Sequence, residues 1–147
     1  MEVSIEKYLA NLKLVISQLP NKTESIIQAN KERILDLNRY NQLYERGIDS
    51  DGDRLKEYTS FTIQIKQMLQ QPYDRTTLNY SGSFYDKFSY YFDKNTYTLT
   101  IFSTDKKTPL LIQKYGKDIF GLDTDNTDYL EIQIIKKNLD EWLLKYL

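Results

Sequence analysis

The sequence predicts an α+β domain: an N-terminal helix pair, a central antiparallel β-hairpin or small sheet, and a long C-terminal helix. Three observations lead there. Apolar residues recur at helical spacing at both ends of the chain. Between them, aromatic and aliphatic residues alternate with polar ones on either side of a turn signal. Glycines and prolines fall between these stretches. The 147 residues fit one domain. It divides into a helical part (1–45), a mixed core with the hairpin (46–122) and the terminal helix (123–147).

The first helix covers roughly 4–19, with Ile5, Tyr8, Leu9, Leu12, Val15, Ile16 and Leu19 in helical register. Pro20-Asn21 ends it. Thr23 then caps a second helix over about 24–44, and Glu24 suits its positive end. Ile26, Ile27, Ile34, Leu37 and Tyr40 form its stripe, interrupted at Asn30. So short a connection implies an antiparallel pair. Gly47 is the left-handed cap that closes the second helix.

Asp49-Ser50-Asp51-Gly52-Asp53 is a polar turn. The segment 61–69 admits two readings. It is a short helix capped by Thr59 or Ser60, favoured because Met68 and Leu69 continue the stripe. Alternatively it is a strand, since Phe61, Ile63 and Ile65 alternate. Thr76-Thr77-Leu78 suggests a short strand, and Ser81-Gly82 a turn. Phe84, Phe88, Tyr90 and Phe92 share one parity, as do Tyr97, Leu99 and Ile101; Asp93-Lys94-Asn95 lies between. The clearest hairpin therefore pairs 84–92 with 97–103. Thr108-Pro109 opens a helix that Gly116 closes, and an apolar loop follows at Ile119-Phe120-Gly121-Leu122. The terminal helix covers 125–147, its face built from Leu130, Ile134, Ile135, Leu139, Trp142, Leu143 and Tyr146.

Composition narrows the chemistry. With no histidine and no cysteine, imidazole- and thiol-based triads are excluded, as are the usual zinc sites. Neither phosphate-binding nor dinucleotide-binding glycine patterns occur. The acidic turn fails the EF-hand pattern: with Asp49 at the first position, Arg54 falls where glycine is needed and Ser60 where glutamate is needed. Carboxylate-only chemistry of the glycosidase kind stays open, but no pair of carboxylates stands out. No catalytic, cofactor-binding or metal residue is assigned. A net charge of −1, from 20 basic and 21 acidic residues, gives no nucleic-acid footprint. The start of the chain does not read as a secretory signal, and no apolar run reaches the ~18 residues of a membrane span. Tyrosine is abundant, 13 against 6 phenylalanines. That suits protein interfaces, although an AT-rich coding sequence gives the same excess.

An ordered series of short motifs points further. It runs through Asn41-Gln42-Leu43-Tyr44-Glu45-Arg46-Gly47-Ile48-Asp49-Ser50-Asp51-Gly52, then Tyr58, Thr62 and Lys66. It continues with Gln71-Pro72-Tyr73-Asp74-Arg75-Thr76-Thr77-Leu78 and Ser81-Gly82-Ser83-Phe84-Tyr85, and closes with Lys114-Tyr115-Gly116-Lys117-Asp118-Ile119-Phe120-Gly121-Leu122. Over residues 41–122 this resembles small virion structural proteins of tailed bacteriophages that infect Bacteroidetes, including the crAss-like phages. Two departures are visible: Asn79-Tyr80-Ser81 replaces a charged run, and Thr77 stands where valine is common. The resemblance implies a non-enzymatic subunit of a neck or tail connector ring that joins portal to tail. It implies a homo-oligomer located in the virion, contacting portal or other neck and tail proteins, with genome DNA passing through the lumen without sequence-specific binding. Interface positions under this reading are Tyr44, Tyr58, Tyr73, Tyr85, Tyr115 and Phe120, and no cofactor or membrane is involved. The alternatives are a small phage-encoded protein that binds a target in the host and, more remotely, a cell-wall hydrolase.

Overall fold

The structure, a computed structural model, describes residues 4–146. Met1 to Val3, part of the N-terminal stretch read above for a secretory signal, and Leu147, the expected last residue of the terminal helix, lie outside them. Helix α1 spans Glu6–Ala29 and runs through Pro20. The expected stop at Pro20 does not occur. Proline removes one backbone donor, which would have bonded to the carbonyl of Ile16; Ile16 itself is 68% exposed. Beyond Pro20, Thr23, Ile26 and Ile27 are buried. Ile26 and Ile27 join a cluster with Ile34 and Ile134. Burial on that side outweighs the local helix breaker. Thr23, expected as a cap, lies inside the helix, and its hydroxyl donates to the Leu19 carbonyl at 2.9 Å. The helix breaks instead at Asn30, whose side chain donates to the Ile26 carbonyl at 2.8 Å. Few residues of the predicted α1 stripe are covered: Ile5, Tyr8 and Leu9 are exposed, and Val15 is buried.

Helix α2 begins over Lys31–Asp36 and continues as a π-helix over Leu37–Arg46. Its wide turns bury Asn38, Arg39, Gln42 and Leu43. Gly47 ends it in the left-handed region, φ 60°. A Cβ there would lie 3.0 Å from Arg75 Cβ and 3.2 Å from the Thr76 carbonyl oxygen, so space and backbone both favour glycine.

Helix α3 covers Ser60–Met68, and Thr59 caps it by accepting from the Thr62 backbone N–H. The helical reading of this segment therefore holds over the strand. The short strand expected at 76–78 is absent. Those residues are buried in irregular backbone, with Leu78 at φ 58°, and the Thr76 hydroxyl donates to the Lys56 carbonyl at 2.6 Å. Helix α4 is one turn, Ser83–Asp86. It takes Phe84 out of the expected strand.

The hairpin then forms with strands β1, Phe88–Asp93, and β2, Thr98–Ser103, antiparallel. Phe88 faces Ser103, Tyr90 faces Ile101 and Phe92 faces Leu99. The predicted parity holds: these residues turn inward, while Tyr91 and Phe102 face out. Two strands alone are marginal, and this pair is covered by helices on its inner face. One cluster gathers Leu35, Leu43, Leu55, Phe84, Phe88, Ile101 and Ile119 among others. Tyr90 packs on both this cluster and that of Ile34 and Ile134, linking the two.

Helix α5, Thr108–Tyr115, carries Pro109 in its first turn and ends at Gly116, as read from the sequence. A single 3-10 turn follows, Lys117–Ile119. Helix α6 runs over Thr124–Tyr129, widens to a π-helix over Leu130–Lys136 and returns to α over Lys137–Leu143. Its cap is Asp123, which accepts from the Asn126 N–H at 3.0 Å. The helix starts earlier than expected because this capping bond fixes its first turn. The architecture is α+β with a two-stranded antiparallel sheet and a C-terminal helix. No described helix is long and apolar enough to cross a membrane.

Candidate functional site

The motif pieces that are separate in sequence meet in space. Gln42 is fully buried. Its amide donates to the Gly121 carbonyl, and its carbonyl accepts from the Asp123 N–H and the Asn126 side chain, all at 2.9 Å. Asn38, one turn earlier, donates to the Ile119 carbonyl and accepts from the Gly121 N–H. Through these two side chains α2 holds the loop that leads into α6. A second clamp joins the segment before α3, and α4, to the segment after α3. The Thr77 N–H donates to the Tyr58 hydroxyl at 2.9 Å, and the buried Tyr85 hydroxyl donates to the Thr77 carbonyl. Burial pushes the Tyr85 phenol far above the ordinary tyrosine range. Arg75 donates to the Tyr44 carbonyl at 2.7 Å and lies over the Tyr44 ring at 5.7 Å. Most conspicuous polar motif residues are thus spent on holding the fold.

A cleft of about 260 Å³ opens between α3, α5 and the loop around Tyr80. Leu78, Phe84, Leu110 and Leu111 form its apolar wall, and Lys66, Lys107 and Lys114 bring positive charge. Among the described residues no carboxylate lines it. Lys66 is 4% exposed and forms no ion pair among the described residues. Burying an unpaired ammonium is unfavourable unless other groups solvate it. Here its Nζ donates to the Asn79 carbonyl at 2.6 Å and to Gln71 Oε1 at 3.0 Å. The rings of Tyr58 and Tyr80 lie 5.3 and 5.9 Å away, within cation–π range. Lys66 also sits in the last turn of α3, where the helix dipole favours a cation.

The six expected interface positions do not form one patch. Tyr85 is 1% exposed, and Phe120 packs on Phe84 and Phe88 at 5.7 and 5.3 Å between ring centres. Tyr44 packs against the same core. These three support the interior, because their rings close the aromatic cluster behind the hairpin. Tyr58 and Tyr115 line the cleft. Tyr73 is exposed and lines a separate recess together with Tyr58, Ile63 and Arg75. Sequence reading missed Tyr80, Lys107, Lys114 and Leu110. Lys66 carried a signal, four residues after Thr62 on one helical face, yet a lone lysine in a helix reads as solvated surface.

The acidic turn remains a turn. The Asp49 carboxylate accepts from the N–H groups of Asp51 and Asp53, both at 3.0 Å, and Ser50 donates its N–H to the Asp118 carbonyl. Carboxylate oxygens of Asp49, Asp51 and Asp53 come within 4.8 Å of one another. These are the residues that could hold a cation among those described. The Asp51 carboxyl is raised above the ordinary range, first by its hydrogen bond to Asp118, then by the charges of Asp118, Asp49 and Asp53. Comparison with protein-family models, with curated proteins and with solved structures finds no match.

Proposed function

We propose that this chain is a non-enzymatic virion subunit of a tailed bacteriophage, part of a neck or tail connector ring that joins portal to tail. The observation that carries the reading is the motif series over residues 41–122. Its members form the clamps made by Gln42, Tyr58, Arg75 and Tyr85 around one core. A shared series of this kind implies a shared fold. Surface chemistry supports assembly. A ring subunit presents two different faces, each complementary to the other. Two separate elements here expose apolar side chains: α1 with Ile5, Tyr8, Leu9 and Ile16, and α3 with Phe61 and Met68. Several large apolar side chains exposed on one element offer a partner surface to bury.

Copies of the chain meet around a lumen through which DNA passes without specific contacts, in keeping with the near-neutral composition. Light scattering of the purified chain, alone and mixed with the particle's portal protein, tests the assembly. A closed oligomer, or a complex with portal, is expected. A chain that stays monomeric in both samples contradicts the reading. The host-acting alternative draws on one observation, the lysine-lined cleft, which any small binding protein could use.

A further inference from the structure

The cleft between α3 and α5 carries an inference that goes beyond a place in the virion and does not depend on it. Its chemistry is one-sided. Lys66 and Lys107 both approach the ring of Tyr80, at 5.9 and 5.8 Å, and Lys114 lies over Tyr115 at 5.3 Å. Three cations therefore surround an apolar floor, with no acid in the lining among the described residues; Asp105, buried behind it, accepts from the Lys107 backbone N–H at 2.8 Å. Lys107 and Lys114 are exposed and form no ion pair among the described residues. Among the described residues only Arg39, Arg46, Arg75, Lys87 and Lys136 pair with a carboxylate, so what marks the cleft is the convergence of three cations on one recess rather than their being unpaired. Potential of one sign in a low-dielectric recess attracts the opposite sign.

Charge and polarity decide what kind of occupant fits. The cleft, about 260 Å³, lies near the lower end of ligand pockets, roughly 300–1,000 Å³. Its floor takes an apolar anchoring group of the kind that fills interface pockets, and its lysines take a negative charge carried beside that group. Leu110, 66% exposed at its mouth, extends the apolar wall outward.

We propose that this cleft is a docking socket for an acidic segment of a protein partner. An apolar side chain of the partner sits against Leu78, Phe84 and Leu111, and a neighbouring carboxylate is held by Lys107 and Lys114. Lys66 supplies fixed positive charge at the base and keeps the loop through Asn79 and Gln71 in place.

The test leaves Lys66 alone, since its loss would disturb that loop, and uses the exposed pair. A library of random short peptides is selected against the intact chain and counter-selected against the K107E/K114E variant. Circular dichroism and thermal melting confirm that the variant is folded. Enriched peptides are expected to place an aromatic or aliphatic residue beside Asp or Glu. A synthetic peptide from the enriched set is expected to lose about tenfold or more in affinity on K107E/K114E. The same peptide should bind a K13E/K56E control, with equal net charge change outside the cleft, as it binds wild type. Enriched peptides without acidic residues, or with unchanged affinity for K107E/K114E, overturn the proposal. So does a selection that yields no peptide discriminating the two proteins. Perturbation of Tyr80 and Leu110 resonances by oligo(dT), with no acidic peptide enriched, assigns the cleft to nucleic acid and overturns it as well.

Discussion

Replacing Gln42 by leucine tests whether the motif residues hold the fold through buried hydrogen bonds. The two side chains have similar volume, so the substitution removes polarity and leaves packing nearly intact. Three partners lose Gln42. Asn126 keeps the Leu37 carbonyl and Asn41 Oδ1 as acceptors, so its loss is small. The Gly121 carbonyl and the Asp123 N–H have no other partner among the described residues. Each buried orphan costs about 1–3 kcal/mol. Gly121 is half-buried, and water can reach part of that cost back. The expected loss is therefore about 2–4 kcal/mol, a large share of the roughly 5–15 kcal/mol that such a domain holds. Urea unfolding followed by circular dichroism measures it. The midpoint should fall by about 1–2 M with the slope unchanged. A loss below about 1 kcal/mol would refute the claim that these bonds join α2 to the loop before α6.

Three further outcomes follow from single contacts. Pro20→Ala should stabilise the protein by about 2 kcal/mol, the helix-interior penalty of proline less its entropic restriction of the unfolded chain; a lower melting temperature contradicts this. Tyr85 stays neutral in the fold, while an unfolded tyrosine ionises near pH 10, so its contribution is complete below about pH 10 and lost as pH rises further. Alkaline unfolding should accordingly be shallower in Tyr85→Phe, and an identical slope counts against it. The Asp105 carboxyl is held below the ordinary range, first by the Lys107 backbone N–H at 2.8 Å, then by Ser83 and Lys87. Its stabilisation is present above about pH 3.9 and lost as pH falls through the lowered value. Asp105→Asn should reduce stability at neutral pH and flatten the acid limb, read from melts across pH; unchanged melts at both ends refute the assignment.

Features set by local pattern were the legible ones. Alternation from Phe88 to Phe92 and from Leu99 to Ile101 placed the hairpin and its inner face. Thr108-Pro109 and Gly116 bounded α5, and Gly47 closed α2. Features set by distant contacts were not. Pro20 ends a helix by local rules, yet Ile26 and Ile27 gain burial against Ile134 only when the helix continues. Thr76 and Thr77 have strand propensity, but their polar groups find partners in Lys56 and Tyr58 rather than in a ladder. Asn38, Gln42 and Asn126 look like surface amides until α2 meets the loop before α6. The cleft was hidden for the same reason: Lys66 and Tyr80 lie far in sequence from Lys107 and Lys114, and only the α3–α5 arrangement brings them together.

Placement in the particle is tested most directly by a peptide mass-spectrometric inventory of gradient-purified virions, with infected-cell lysate run beside it. The ring-subunit reading predicts the chain in the virions, at a copy number comparable to that of the portal protein. Its absence from virions, with clear detection in the lysate, would contradict that reading.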